Sequence, residues 1–359
     1  MSYAIAAAGT GGHVYPGLAV GEALVEAGVD RSDVLFVGGD RLESEVYPAA
    51  GFAFVGVELR GLTRSLSATN LGLPLVVARA VRAMTEEFRL RGVGVVLGMG
   101  GYVTVPAAIA ARRARAVVMV AEQNAHAGLA NRLAGRLARR RFGAFARTEG
   151  LPGAEWVGNP VRPSIAAFDR ESLAGEARRH YGVGEGVPVV GVFGGSLGAR
   201  AINEAVVSTF LGWDGPELAV VHLSGRDHQG HVAEQVAGST LEWRVVGFED
   251  RMDLFYAAAD LVIARAGGAV AELTVTGTPA ILVPGGFGSA GHQDANARAL
   301  EAAGSAVIVE QAELDTLGDA VRAILLDPDA LERMRRSAGL LARPGAAAHI
   351  ARAMIEAHG

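Results

Sequence analysis

The chain has 359 residues, half of them apolar, with 33 basic against 38 acidic residues and no cysteine. Such a length holds about two domains, the apolar share excludes intrinsic disorder, and the missing cysteine excludes disulfides and thiolate metal sites. All 33 basic residues are arginine, so there is no lysine nucleophile, Schiff base or Walker-type phosphate lysine.

The net charge of −5 is unevenly spread: residues 1–159 carry 17 arginines against 13 acids, and residues 160–359 carry 16 against 25. Within residues 60–141 the count is 14 arginines against 3 acids. A local basic field on an acidic protein points to an anionic surface or ligand, not to nucleic acid. No apolar run approaches the ~20 residues that span a bilayer. The first residues pass straight into a strand pattern, which leaves no room for a signal peptide and fits a cytoplasmic protein.

In chain order, the first predicted strand is Tyr3–Ala7, running into Ala8-Gly9-Thr10-Gly11-Gly12-His13. Glycines at a strand-to-helix turn let the backbone approach a ligand, and a helix start offers free N–H groups to an anion. His13 at that start is either a base held neutral by the helix dipole or a capping residue. Strands follow at Val34–Val37, Val93–Leu97 and Val117–Val120. Between them, Leu71, Leu73, Leu75, Val76 and Met84 interleave with Arg79, Arg82, Arg89 and Arg91, as an interfacial helix or a core-facing helix with a solvated arginine face. Glu122-Gln123-Asn124, with Asn131 beyond, follows the fourth strand, where open α/β sheets place ligands; a polar helix cap reads equally well.

Asn159-Pro160-Val161-Arg162-Pro163 punctuates the middle. We place domains at 1–159 and 160–340, with a terminal helical stretch at 341–359 expected to pack back on the first domain. The second half opens like the first: strand Val187–Phe193, then Gly194-Gly195-Ser196-Leu197-Gly198-Ala199-Arg200. Strands are predicted at Leu218–Leu223, Trp243–Val246, Leu261–Ile263, Ala280–Val283 and Ala306–Val309, and a helical pattern over Leu331 to His358 breaks near Pro344. Spacings of about 20 to 30 residues are those of βαβ units, so both halves read as doubly wound α/β, with the glycine loops on a shared cleft. Glu272, after Arg265 and Gly267-Gly268, suits both hydroxyls of a ribose or simply stabilises a helix start. The loop 285–291, leading to His292-Gln293, suits sugar hydroxyls or is a solvent loop.

Together these segments resemble the bacterial MurG family of membrane-associated N-acetylglucosaminyltransferases. The likeness runs in order through Gly9–His13 with Pro16, Gly98–Val103 with Pro106, Glu122–Asn124 with Asn131, Gly158–Arg162, Gly194–Arg200, Arg265–Glu272, and His292-Gln293 with Asn296. It implies a GT-B fold, two Rossmann-like domains facing a cleft. It also implies transfer of N-acetylglucosamine from UDP-N-acetylglucosamine to the 4-hydroxyl of an undecaprenyl-linked N-acetylmuramoyl acceptor, with inversion and without a cofactor or dedicated metal. By position, the resemblance assigns Ser196 and Arg162 to the diphosphate, Glu272 beside Gly268 to the ribose, Gln293 and Asn124 to the sugar, and the backbone of Phe248 and Glu249 to the uracil. Thr10, Gly11 and Gly12 line the other wall, and His13 is the candidate base. The implied location is peripheral, on the cytoplasmic face of an anionic membrane. The chain departs from the family pattern at Ala8 and Ala121, lacks an acid at Gly291, and has a 265–272 segment one residue short and without threonine. Rival readings are another GT-B transferase, a UDP-N-acetylglucosamine 2-epimerase, or a catalytically impaired UDP-sugar-binding protein.

Overall fold

The computed structural model describes residues 2–59, 73–195, 198–285, 291–327 and 329–358. The chain divides into two units, Met1–Arg162 with Pro344–Gly359, and Pro163–Arg343.

The first unit is built on a seven-stranded parallel sheet. Its strands are β1 (Ser2–Ala6), β2 (Val34–Gly38), β3 (Ala53–Gly56), β4 (Val93–Gly98), β5 (Val117–Glu122), β6 (Arg140–Gly143) and β7 (Glu155–Trp156). Their order across the sheet is β3-β2-β1-β4-β5-β6-β7. The inner strand β1 has every side chain buried, with Ile5 in register with Phe36 on one side and Leu97 on the other. Helices cover both faces of such a sheet, which is why its inner strands read as unbroken apolar runs. One cover is formed by the helices Leu73–Leu90, Thr104–Arg113 and Leu129–Ala134, the other by Gly11–Glu26 and Ala346–His358. The last of these buries Ile350, Ala351 and Met354 in the same cluster as Val95 and Leu97.

The second unit carries six parallel strands: β8 (Val189–Phe193), β9 (Ala219–Leu223), β10 (Glu242–Val246), β11 (Leu261–Ala264), β12 (Ala280–Leu282) and β13 (Ala306–Ile308). Their order is β10-β9-β8-β11-β12-β13.

Three strands, β3, β6 and β7, were not expected from the sequence. All lie at or near the sheet edges, where burial on both faces is not required. Strand β6 reads Arg-Arg-Phe-Gly, so its arginines look like surface charge until Met119 and Val120 of β5 pair with Arg140 and Arg141. The expected interfacial set is also revised. Met84 is fully buried with Ala80, Val81 and Phe88, one face of the helix Leu73–Leu90. Arg82 pairs with Glu86 and Arg91 with Glu87, while Arg89 donates to the Arg113 carbonyl. Leu75 remains exposed and Val76 packs partly on the core; Leu71 lies outside the described residues. Among the described residues, no helix is long and apolar enough to cross a membrane.

Candidate active site

In each sheet the strand order reverses once, between β1 and β4 and between β8 and β11. Loops leaving the carboxyl ends of such strand pairs diverge and open a crevice, the usual ligand position in open α/β sheets. The two predicted glycine loops follow β1 and β8, so each lies at a reversal.

In the first unit the loop after β1 meets the loop after β4. Gly101 sits at φ +78°, and a methyl group there would overlap the carbonyl oxygen of Ala8. Only glycine permits this approach. Thr10 is exposed at the start of the helix Gly11–Glu26 with no side-chain cap bond, and Gly11, Gly12 and His13 form its first turn. His13 Nδ1 is 3.0 Å from the side-chain oxygen of Gln123, whose amide nitrogen donates to the Ala121 carbonyl at 3.0 Å. Asn124 donates its backbone and side-chain N–H groups to Glu122 Oε1. Glu122 Oε2 accepts from Gly128 N and Asn131 Nδ2, so this buried carboxylate braces the loop. Arg162 lies over the Tyr15 ring, 5.6 Å from its centroid.

Glu43 is a structural residue that sequence reasoning missed. It is fully buried. Its carboxylate accepts from Gly9 N at 3.2 Å, Gly39 N at 2.9 Å and the Tyr102 hydroxyl at 3.4 Å, tying together the loops after β1, β2 and β4. Burial, with Glu43 beside it, raises the Tyr102 phenol above its ordinary range and keeps it a donor. Nothing in the local sequence separates Glu43 from its neighbour Glu45.

In the second unit, Gly198 (φ +76°) leaves no room for a methyl group against the Ser224 carbonyl. Asn203, in the helix Arg200–Leu211, holds the same carbonyl at 2.9 Å and turns its oxygen to His222 Nε2 at 3.0 Å. Ser196, assigned to the diphosphate, lies outside the described residues. On the neighbouring loop, Gly268 starts the short helix Ala269–Val275, and Glu272 stands in its first turn. The hydroxyl of Tyr256, itself fully buried, donates to Glu272 Oε2 at 2.9 Å. Arg170 fixes this arrangement from behind, donating to the Tyr256 and Ala259 carbonyls and to Thr278 Oγ1 at 2.6, 2.9 and 2.8 Å. Burial lowers its guanidinium to about 10.

Arg265, half-buried, donates to the Val283 carbonyl at 3.0 Å, and among the described residues no carboxylate pairs with it. Burial lowers its pKa, as desolvation of an uncompensated cation must. Nearby, Gln293 accepts from Gly285 N at 2.8 Å, and Asn296 donates to the Ala266 carbonyl at 3.0 Å. The Glu249 carboxylate is engaged by Tyr181 (2.7 Å), Arg251 N (2.8 Å) and His180 (3.1 Å). Burial pushes it up, but these donors outweigh burial and hold it below the ordinary range. Arg226 covers one face of Phe248 at 4.6 Å.

Comparison with known proteins agrees along the whole chain. Residues 3–142 match the glycosyltransferase family 28 N-terminal domain, and residues 189–350 its C-terminal domain. A protein of Mycobacterium sp. (strain KMS) named UDP-N-acetylglucosamine–N-acetylmuramyl-(pentapeptide) pyrophosphoryl-undecaprenol N-acetylglucosamine transferase is 39% identical, over 99% of this chain and 95% of its own. The Nocardia farcinica (strain IFM 10152) protein of the same name is also 39% identical, with the same coverage. The crystal structure of Acinetobacter baumannii MurG superposes with a TM-score of 0.80 at 26% identity, covering 99% of this chain and all of that one.

Proposed function

This chain belongs to the MurG family within glycosyltransferase family 28, and from that premise we propose how its residues divide the work of glycosyl transfer. The protein is an N-acetylglucosaminyltransferase that moves N-acetylglucosamine from UDP-N-acetylglucosamine to lipid I, forming lipid II for peptidoglycan. An inverting displacement needs a base on the attacking hydroxyl and stabilisation of the departing UDP.

His13 takes the proton of the acceptor hydroxyl, beside the helix start at Thr10, Gly11 and Gly12. Glu272, oriented by Tyr256, binds the ribose hydroxyls next to Gly268, and the backbone at Phe248 and Glu249 binds the uracil. Ser196 and its loop, with Arg265 and Arg162, meet the diphosphate. Gln293 and Asn124 meet the sugar. One observation carries this division: each reversal of strand order sets a glycine loop beside a different chemistry, His13 in one unit and Arg265 with Glu272 in the other.

The test is turnover of radiolabelled UDP-N-acetylglucosamine with and without a lipid I analogue. Label should enter the lipid only when acceptor is present. Acceptor-independent conversion of the donor would overturn the reading in favour of an epimerase or hydrolase.

The reading extends to peripheral binding on the cytoplasmic face of an anionic membrane. Its support is the exposure of Leu75, Leu129, Leu133 and Leu137, and of Arg79, Arg112, Arg113, Arg132 and Arg136, on or just after the helices Leu73–Leu90, Thr104–Arg113 and Leu129–Ala134, which cover one side of the sheet. Each arginine near such a surface contributes about 1 kcal/mol. Co-sedimentation with phosphatidylglycerol vesicles should be seen at ~0.1 M salt and be lost at ~1 M. Absence of binding at low salt removes the membrane from the reading.

A further inference from the structure

Among the described residues, the His13 ring has one hydrogen-bond partner, the Gln123 side-chain oxygen, 3.0 Å from Nδ1. The orientation of that amide is not free. Its nitrogen donates to the Ala121 carbonyl at 3.0 Å, and Gln123 is only 3% exposed. Turning the amide over would set two oxygens against each other with no water to relieve them, at the cost of a buried hydrogen bond. The atom facing the ring is therefore Oε1, and an amide oxygen can only accept. The single proton of a neutral imidazole then sits on Nδ1, and Nε2 carries the lone pair. Gly100 confines the ring from the side: a Cβ there would lie 2.8 Å from Cε1 and 2.9 Å from Nδ1.

We propose that Gln123 is a positioning residue for the transfer, fixing His13 as the Nδ1–H tautomer so that Nε2 is the basic atom. The proposal rests on His13 being the base; the tautomer does not. As the acceptor oxygen bonds to the anomeric carbon, the bond from that carbon to the diphosphate oxygen breaks and its electron pair leaves on UDP. The hydroxyl proton passes to Nε2, and the resulting imidazolium keeps its Nδ1–H on Gln123.

An uncharged acceptor has a purpose here. A carboxylate at this distance would favour the imidazolium and keep the base protonated, whereas an amide fixes the tautomer without that penalty. The buried carboxylates beside these loops are engaged elsewhere, and His126, on the loop after β5, faces Glu149. Glu43 is held by Gly9, Gly39 and Tyr102, and Glu122 by Asn124, Gly128 and Asn131. On the histidine's own helix, Tyr15 faces Arg162.

Nitrogen-15 histidine spectra of the full chain, with His13 assigned from His13→Gln, read the tautomer directly. Wild type should show Nδ1–H, and Gln123→Met should lose that preference. With the same Met substitution, kcat should fall ~10-fold or more, short of the ~10²–10⁴ a base contributes, with KM for the UDP-sugar unchanged. In Gln123→Glu the acid limb of the pH–rate profile should move up by about 1 unit or more. A wild-type Nε2–H tautomer overturns the role of Gln123. An Nδ1–H tautomer with an acid limb unmoved in Gln123→Glu overturns instead His13 as the base, and with it the consequence for transfer.

Discussion

The two sheets close their glycine loops alike and furnish them with different charges. In both, a glycine at positive φ presses against the backbone carbonyl of a neighbouring loop: Gly101, after β4, on Ala8, across the reversal, and Gly198, after β8, on Ser224, which follows β9 on the other side of β8. Behind the first stand two buried carboxylates, Glu43 and Glu122, engaged by backbone and side-chain N–H groups and, at Glu43, the Tyr102 hydroxyl. Beside the second stands Arg265, a half-buried cation with which no carboxylate pairs among the described residues, and, in the helix just after it, Glu272, held by Tyr256. Yet residues 1–159 carry the excess of arginine and residues 160–359 the excess of acid. Net charge describes the solvated surface, which governs long-range attraction. The charge of a site is set by a few desolvated groups whose partners are fixed by the fold.

The largest expected effect separates chemistry from binding. His13→Ala should lower kcat ~10²-fold or more. Calorimetry with UDP and thermal melting should both stay near wild type, because His13 is half-buried and makes one side-chain hydrogen bond. A turnover number that does not change would remove it from the reaction.

The two glycines test whether the reversals act independently. Gly101→Ala and Gly198→Ala should each cost about 2–4 kcal/mol of stability, from a disfavoured φ and an overlap with a backbone oxygen. The first should raise KM for the acceptor and the second KM for UDP-N-acetylglucosamine. Equal effects of both on both substrates would show that the loops do not divide the substrates.

The histidines sharpen the contrast, since His222 is fully buried on β9. Burial alone lowers its titration to about 4 from 6.5. A folded value below the unfolded one means that protons bind the unfolded chain better in that window. Stability is therefore complete above pH 6.5 and is lost as pH falls toward 4, by up to about 3 kcal/mol. His222→Phe should flatten that part of a melting-temperature profile, and an unchanged slope would place the acid sensitivity elsewhere.

The smallest effects concern the ribose. Glu272→Ala should weaken UDP by roughly 1–3 kcal/mol, about ten- to a hundredfold, and Tyr256→Phe by about 1 kcal/mol, as one hydrogen bond orienting the carboxylate is lost. In the doubly substituted protein, Tyr256→Phe should add nothing. Additive losses would mean that the tyrosine acts on its own.

Much of this was legible along the chain. Each of the ten apolar runs read as strands is a strand, since inner positions of a parallel sheet demand continuous apolar residues whatever their neighbours. The glycine loops were legible for a related reason: a backbone bent to φ +78° or +76° tolerates little else. Motif order, too, was sufficient for the family, which relatives 39% identical along 99% of the chain also show.

Side-chain direction was not legible. The sequence left Met84 between an interface and the core, and the helix turns it onto the core with Ala80, Val81 and Phe88. Nor could spacing show that Glu43 and not Glu45 is buried, that Tyr256 reaches Glu272, or that the Ala121 carbonyl fixes the Gln123 amide and through it the proton on His13. Local sequence sets backbone periodicity, because clashes and hydrogen bonds between near neighbours suffice for it. The partner of a buried polar atom comes from another strand or helix, so only the packed sheets decide which acid is desolvated, which amide is locked and which nitrogen keeps its lone pair.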